Sequence, residues 1–188
     1  MCHCARVVEF LIFADADEWD RWLSEHGATS DGVWLKVAKK GVGGLSAPEA
    51  GDLAICHGWI DSQRRGLDST HFLQRYSPRR PGSPWSRVNV ERVAALDKTG
   101  RMRPGGLAQV AAAKADGRWD AAYASQANAS APADLMAALA DHDRARAAFE
   151  ALSRTQQYVL YLGLLKARTP AERATALRRV MATLTGDR

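Results

Sequence analysis

A chain of 188 residues, 46% hydrophobic and 25% charged, can bury a globular core and has room for one domain with a small extension, which excludes fibrous and disordered classes. The net charge of +5 admits an anionic partner without requiring one. Three cysteines, Cys2, Cys4 and Cys56, are too few and odd in number for a disulfide framework, and no apolar run approaches the ~18 residues of a membrane span.

In chain order, residues 6–13 predict a strand. Their apolar run is broken by Glu9 and preceded only by Arg6, a poor secretory signal, so reduced thiols and a cytoplasmic location are expected. Asp15 and Glu18 mark a helix start, with Trp19, Trp22 and Leu23 on one face and Gly27 at the end. Residues 32–38 predict a strand, and residues 39–44 a basic, glycine-rich loop. Ser46, Pro48 and Glu49 open a second helix running to about His57. Residues 59–64 and 71–76 predict a hairpin, with Gly66 and Asp68 in the turn. Ser77–Ser83 reads as a proline-stiffened loop, and Ser83 as the cap of a helix from Pro84 to about Lys98. Pro104 starts another helix, ending near Gly117.

Residues 121–131, rich in alanine, serine and asparagine, form the linker candidate. Four further helices follow. In the last two, Tyr158, Tyr161, Leu162 and Leu165 are expected to bury against Leu177, Val180, Met181 and Leu184. The class implied is α+β: a small mixed or antiparallel sheet with packed helices over 1–120, then a helical subdomain over 132–188.

Most polar motifs carry little chemistry. Cys2-His3-Cys4 is too closely spaced to close a tetrahedral metal site, so no metal is expected. Cys56 reads as a small buried hydrophobe. The stretch Gly41–Ser46 lacks the spacing of a phosphate loop, although it could present backbone N–H groups at a helix start.

Residues 58–102 are different. They crowd arginines beside Trp59 and Trp85, and guanidinium forks suit carboxylates, phosphates and aromatic faces. By strand alternation Trp59, Asp61 and Gln63 share one face, with Ile60, Ser62 and Arg64 on the other. Trp85, Asn89 and Arg92 would form a helical stripe. Such a polar-aromatic cluster is either a pocket lining or an internal network that satisfies Asp61 and Asp68. As a groove, it takes charge from Arg64, Arg75, Arg79 and Arg101 and stacking surface from Trp59 and Trp85. Asp61 and Asn89 orient the arginines. The ligand would be an anionic or aromatic small molecule or an acidic peptide, with no cofactor. The rival reading is an enzyme on a phosphorylated or carboxylated metabolite, with Asp61 as general base and His57 or His71 as partner. A nucleic acid is the least favoured partner, since basic and aromatic residues interleave only loosely and no RNP motif occurs.

Several motifs resemble the YdeI/OmpD-associated family of bacteriocin-protection proteins. They are Cys56-His57-Gly58-Trp59-Ile60-Asp61-Ser62-Gln63, Gln74–Arg80, Trp85–Asn89, Gly100-Arg101-Met102, Gly105-Gly106-Leu107 and Ala115–Trp119. The likeness extends upstream through Trp22-Leu23 and Gly32–Leu35 and into the helical tail. It implies protection against bacteriocins or cationic antimicrobial peptides and association with an outer-membrane porin. It implies no catalytic activity and no cofactor.

Overall fold

The structure is a computed structural model that describes residues 8–186. Its elements are α1 (Ala16–His26), β1 (Val33–Ala38), α2 (Ala47–Cys56), β2 (Trp59–Gly66), β3 (His71–Pro78), α3 (Arg87–Lys98), α4 (Pro104–Ala115), α5 (Ala133–Ala140), α6 (Asp143–Glu150), α7 (Arg154–Lys166) and α8 (Pro170–Thr185). The class is α+β. Cys2, His3 and Cys4 lie outside the described residues. Cys56 is a buried free thiol whose pKa is raised by that burial. No helix among the described residues is long and apolar enough to cross a membrane.

The chain divides into two compact units. One comprises the residues up to Ser83 with Asn89–Trp119, and the other Pro84–Val88 with the residues from Asp120 onward.

In the first unit the sheet is antiparallel with order β1-β3-β2. The tight turn after β2 places β3 beside it, and β1 takes the free edge of β3. Of the strand expected over residues 6–13, residues 6 and 7 lie outside the described residues, and the described part makes a single bridge. Leu11 donates to Trp34 O and accepts from Lys36 N–H, after which Asp15 caps α1 and the chain turns away. Helices form where their caps predict: the Asp15 side chain accepts from Glu18 N–H, and Ser46 with Glu49 closes a capping box. The Glu49 carboxylate thus fills the helix start where an anion was a candidate, and its hydrogen bonds from Ser46 lower its pKa.

Leu35 and Val37 of β1 pack with Trp19, Leu23, Leu53, Ala54, Trp59 and Tyr76. Trp19 is fully buried. Its ring stacks on Trp22 at 5.3 Å and meets Trp59 edge-on at 6.2 Å, while its N–H donates to Ala50 O. Helix α4 meets the end of α2 through glycines. A Cβ on Gly106 would stand 2.2 Å from Cys56 O, and one on Gly105 2.7 Å from His57 O.

In the second unit Leu135, Leu139, Ala145, Phe149, Tyr161, Leu164, Val180 and Leu184 form the core. Leu164 replaces the expected Leu162, which is only half-buried. Arg173 grips Asp134 with two hydrogen bonds, 2.7 and 2.9 Å, and these lower the Asp134 pKa. Residues 121–131, expected to be a linker, form no helix or strand but are held at several points. Tyr123 exchanges backbone hydrogen bonds with Trp85 and Arg87, Tyr158 donates to Ala124 O, and Arg154 to Ala127 O. Those bonds also explain why α3 begins at Arg87 rather than Pro84: Trp85 and Ser86 are extended against Tyr123.

Candidate functional site

The expected site residues do not converge as one groove. Trp59 is 2% exposed, in edge contact with Trp19 and Trp22, and its N–H donates to Gly27 O. It is a core ring rather than a stacking platform. Trp85 is also buried and precedes α3, so the stripe Trp85, Asn89, Arg92 is not helical throughout. Arg79 is 4% exposed and its backbone N–H donates to Gly58 O, in a buried setting rather than on an open surface. Arg101 is exposed just beyond α3.

Asp61 and Arg64 do come together, for a reason that alternation alone conceals. Asp61 opposes Tyr76 and Arg64 opposes Gln74, so three steps along β2 match two along β3: a β-bulge. The extra residue shifts the phase and brings Arg64 to the face of Trp59 and Asp61, where alternation had put it on the opposite one. Gln74, 2% exposed, secures the bulge by donating to Gln63 O and accepting from Arg64 Nε at 2.9 Å. The guanidinium of Arg64 lies 4.1 Å from the centre of the Phe72 ring.

This face opens on a cleft of about 440 Å³ lined by Ala47, Pro48, Gly51, Asp52, Asp61, Arg64, Tyr76 and Arg92. Arg92 closes it from α3. Its Nε donates to Asp52 Oδ1 at 2.8 Å and its Nη2 to Pro48 O at 3.0 Å. That approach needs Gly51, where a Cβ would meet the guanidinium at 2.8 Å. A glycine inside a helix costs ~1 kcal/mol against alanine, and here it makes room for Arg92. Burial, reinforced by the nearby Asp61 charge, raises the Tyr76 phenol above its ordinary pKa, so it stays a neutral donor at physiological pH.

Arg75 lies elsewhere, in a wider cleft of about 740 Å³ with Trp22, Trp34, Gly32, Leu11 and Glu9. Here arginine does stand beside tryptophan. The Trp22 ring, however, already stacks on Trp19 and on His26, and Arg65 sits over Trp34 at 4.9 Å.

Neither histidine proposed as a catalytic partner lines the Asp61 cleft. His57 Nε2 bonds Asp20 Oδ1 at 2.7 Å, and Arg103 donates to Asp20 Oδ2 at 2.8 Å. His71 sits at the β2–β3 turn, where Asp68 accepts from Thr70 and from the His71 backbone; these bonds hold Asp68 well below the usual carboxylate range. No cluster of metal-binding side chains occurs among the described residues.

Comparison with known families gives two matches. Residues 11–109, more than half of the chain, match a domain of unknown function (DUF8412). The chain belongs to that family. Residues 128–185, carrying α5 to α8, match the family described as Bacteriocin-protection, YdeI or OmpD-Associated. The resemblance read from the sequence is thereby shown, with its match on the helical tail. The motifs quoted for it between Cys56 and Trp119 fall within the DUF8412 match or between the two matches. No curated protein and no solved structure matches the chain.

The DUF8412 portion therefore contains the whole cleft. Sequence reasoning missed Asp52, Gly51 and Tyr76 as parts of it. Gly51 gave a signal, a glycine within a well-capped helix, whereas the Asp52–Arg92 pair spans 40 residues without one.

The Asp20 cluster yields a test of pH dependence. Burial alone would raise the Asp20 pKa, but the hydrogen bonds from His57 and Arg103 together with the charges of those groups outweigh it, and the pKa is lowered. A depressed folded-state pKa contributes stability above the unfolded value, ~4, that is lost as pH falls through the folded value. Asp20→Asn is expected to lose ~1.5–3 kcal/mol at pH 7, the range for hydrogen bonds to charged groups. Urea melts should show the gap to wild type narrowing as the pH drops below about 4. A gap unchanged by acid would mean that the Asp20 charge contributes nothing.

Proposed function

We propose that this protein is a non-enzymatic binding protein that holds the anionic group of a small ligand in the cleft between α2, α3 and the β2 bulge. The observation that carries the reading is Arg64. It lines the cleft, is oriented by Gln74 and Phe72, and has no carboxylate partner of its own among the described residues. Orientation in advance of binding lowers the entropy lost when a ligand arrives. Tyr76 adds a neutral donor.

Binding is favoured over catalysis because the histidines are engaged elsewhere, His57 with Asp20 and His71 at its turn. Nucleic acid is disfavoured because Arg92, Arg103, Arg118, Arg146 and Arg173 each pair with an aspartate, which reduces the charge available to phosphates. The match of α5 to α8 to a bacteriocin-protection family supports a protective role for such binding.

Calorimetric titration with inorganic phosphate and with acetate tests the reading. One saturable site is expected, weakened about tenfold or more in Arg64→Gln through the loss of a charged hydrogen bond. Arg80→Gln, an exposed arginine that does not line the cleft, should leave binding unchanged. Equal losses in both variants, or none in Arg64→Gln, would remove Arg64 as the anion site.

A further inference from the structure

The cleft holds four ionic groups, and only two of them neutralise each other. Asp52 and Arg92 form a closed pair at 2.6 Å. Asp61 and Arg64 line the same cleft on the same face of β2, yet neither makes an ion pair, with each other or with any other described residue. Two opposite charges three residues apart on a flexible surface would be free to meet. Here Arg64 is restrained: its Nε is committed to Gln74 and its plane to the Phe72 ring. Swinging to Asp61 would surrender both contacts.

A simple anion at Arg64 would face the carboxylate of Asp61, and a simple cation at Asp61 would face Arg64 and Arg92. A ligand carrying both charges satisfies both positions. We propose that the cleft selects an amino-acid-sized zwitterion, its carboxylate on the open edge of Arg64 and its ammonium on Asp61. This rests on the reading of Arg64 as the anion site. The Tyr76 hydroxyl would share the carboxylate, while Ala47, Pro48 and Gly51 offer a small apolar wall to the ligand's side chain. A volume of about 440 Å³ lies within the range of small-molecule sites.

The test is calorimetry on the full chain with each standard amino acid in turn. The tightest binder is then compared with its deaminated acid and its decarboxylated amine. The amino acid is expected to bind about tenfold or more tightly than either half, the factor that one charged hydrogen bond supplies. Asp61→Asn, an isosteric change at an exposed position, should abolish the advantage over the deaminated acid while that acid still binds. Arg64→Gln should lose both. Circular dichroism of each variant checks that it is folded.

If the deaminated acid binds as tightly as the amino acid and Asp61→Asn has no effect, the zwitterion proposal is overturned while the anion site stands. The same holds if phosphate binds and no amino acid does. If neither phosphate nor any amino acid binds, both readings fall.

Discussion

Leu164→Ala should be among the most damaging single truncations in the helical unit, costing ~2–5 kcal/mol as expected for a fully buried leucine. Leu164 is completely buried in α7, in one cluster with Leu135, Leu139, Phe149, Tyr161, Val180 and Leu184 from three further helices and its own. Removing three carbons there leaves a cavity that those helices cannot easily close. Leu162, two residues away and half-buried outside that cluster, should lose only ~1 kcal/mol on the same change, in proportion to the smaller area it withdraws from water. Denaturant melts of the two variants decide it: equal losses would mean that the core is not organised around Leu164.

The contrast between those two leucines shows where sequence reading stops. Residues 158–165 are apolar almost all round, so helical spacing fits Tyr158, Tyr161, Leu162, Leu165 as well as it fits a stripe through Leu164. Only the partners on α5, α6 and α8 settle the phase. The capped helices were legible because caps are local chemistry: Asp15, Ser46, Ser153 and Thr169 all accept from the residue three positions on. The hairpin was legible too.

The site was legible only in part. Asp61 and Arg64 were named, but on opposite faces, because the polar run from Asp61 to Arg65 carries no alternation that could reveal a bulge. The bulge is fixed instead from the neighbouring strand, by Gln74. The tryptophans misled for a related reason. A tryptophan beside arginines reads as a platform, yet Trp59 belongs to a cluster whose other rings, Trp19 and Trp22, lie some 40 residues upstream. Burial is a property of that whole cluster and not of the local sequence.

Two glycine substitutions should move stability in opposite directions, one inside α7 and one in the first turn of α4. On propensity alone, alanine improves a helix interior by ~1 kcal/mol. Gly163 in α7 is exposed, and a Cβ there meets nothing closer than Ala176 Cβ at 3.8 Å, an ordinary contact, so Gly163→Ala should gain most of that amount. Gly106 in α4 is buried, and its Cβ would fall 2.2 Å from Cys56 O and 2.8 Å from Ile55 O. Those atoms are backbone, held in the last turn of α2, and Arg103 N–H already donates to Cys56 O at the same junction. No rotamer change relieves the clash, so α4 must move away from α2. That displacement would loosen the contact of Arg103 with Asp20. Overpacking of this kind costs ~1–3 kcal/mol, enough to overturn the propensity gain. A lower melting temperature for Gly106→Ala beside a raised one for Gly163→Ala is the expected pair of results. A stabilised Gly106→Ala would show that α4 does not rest on the end of α2 as closely as the glycines require.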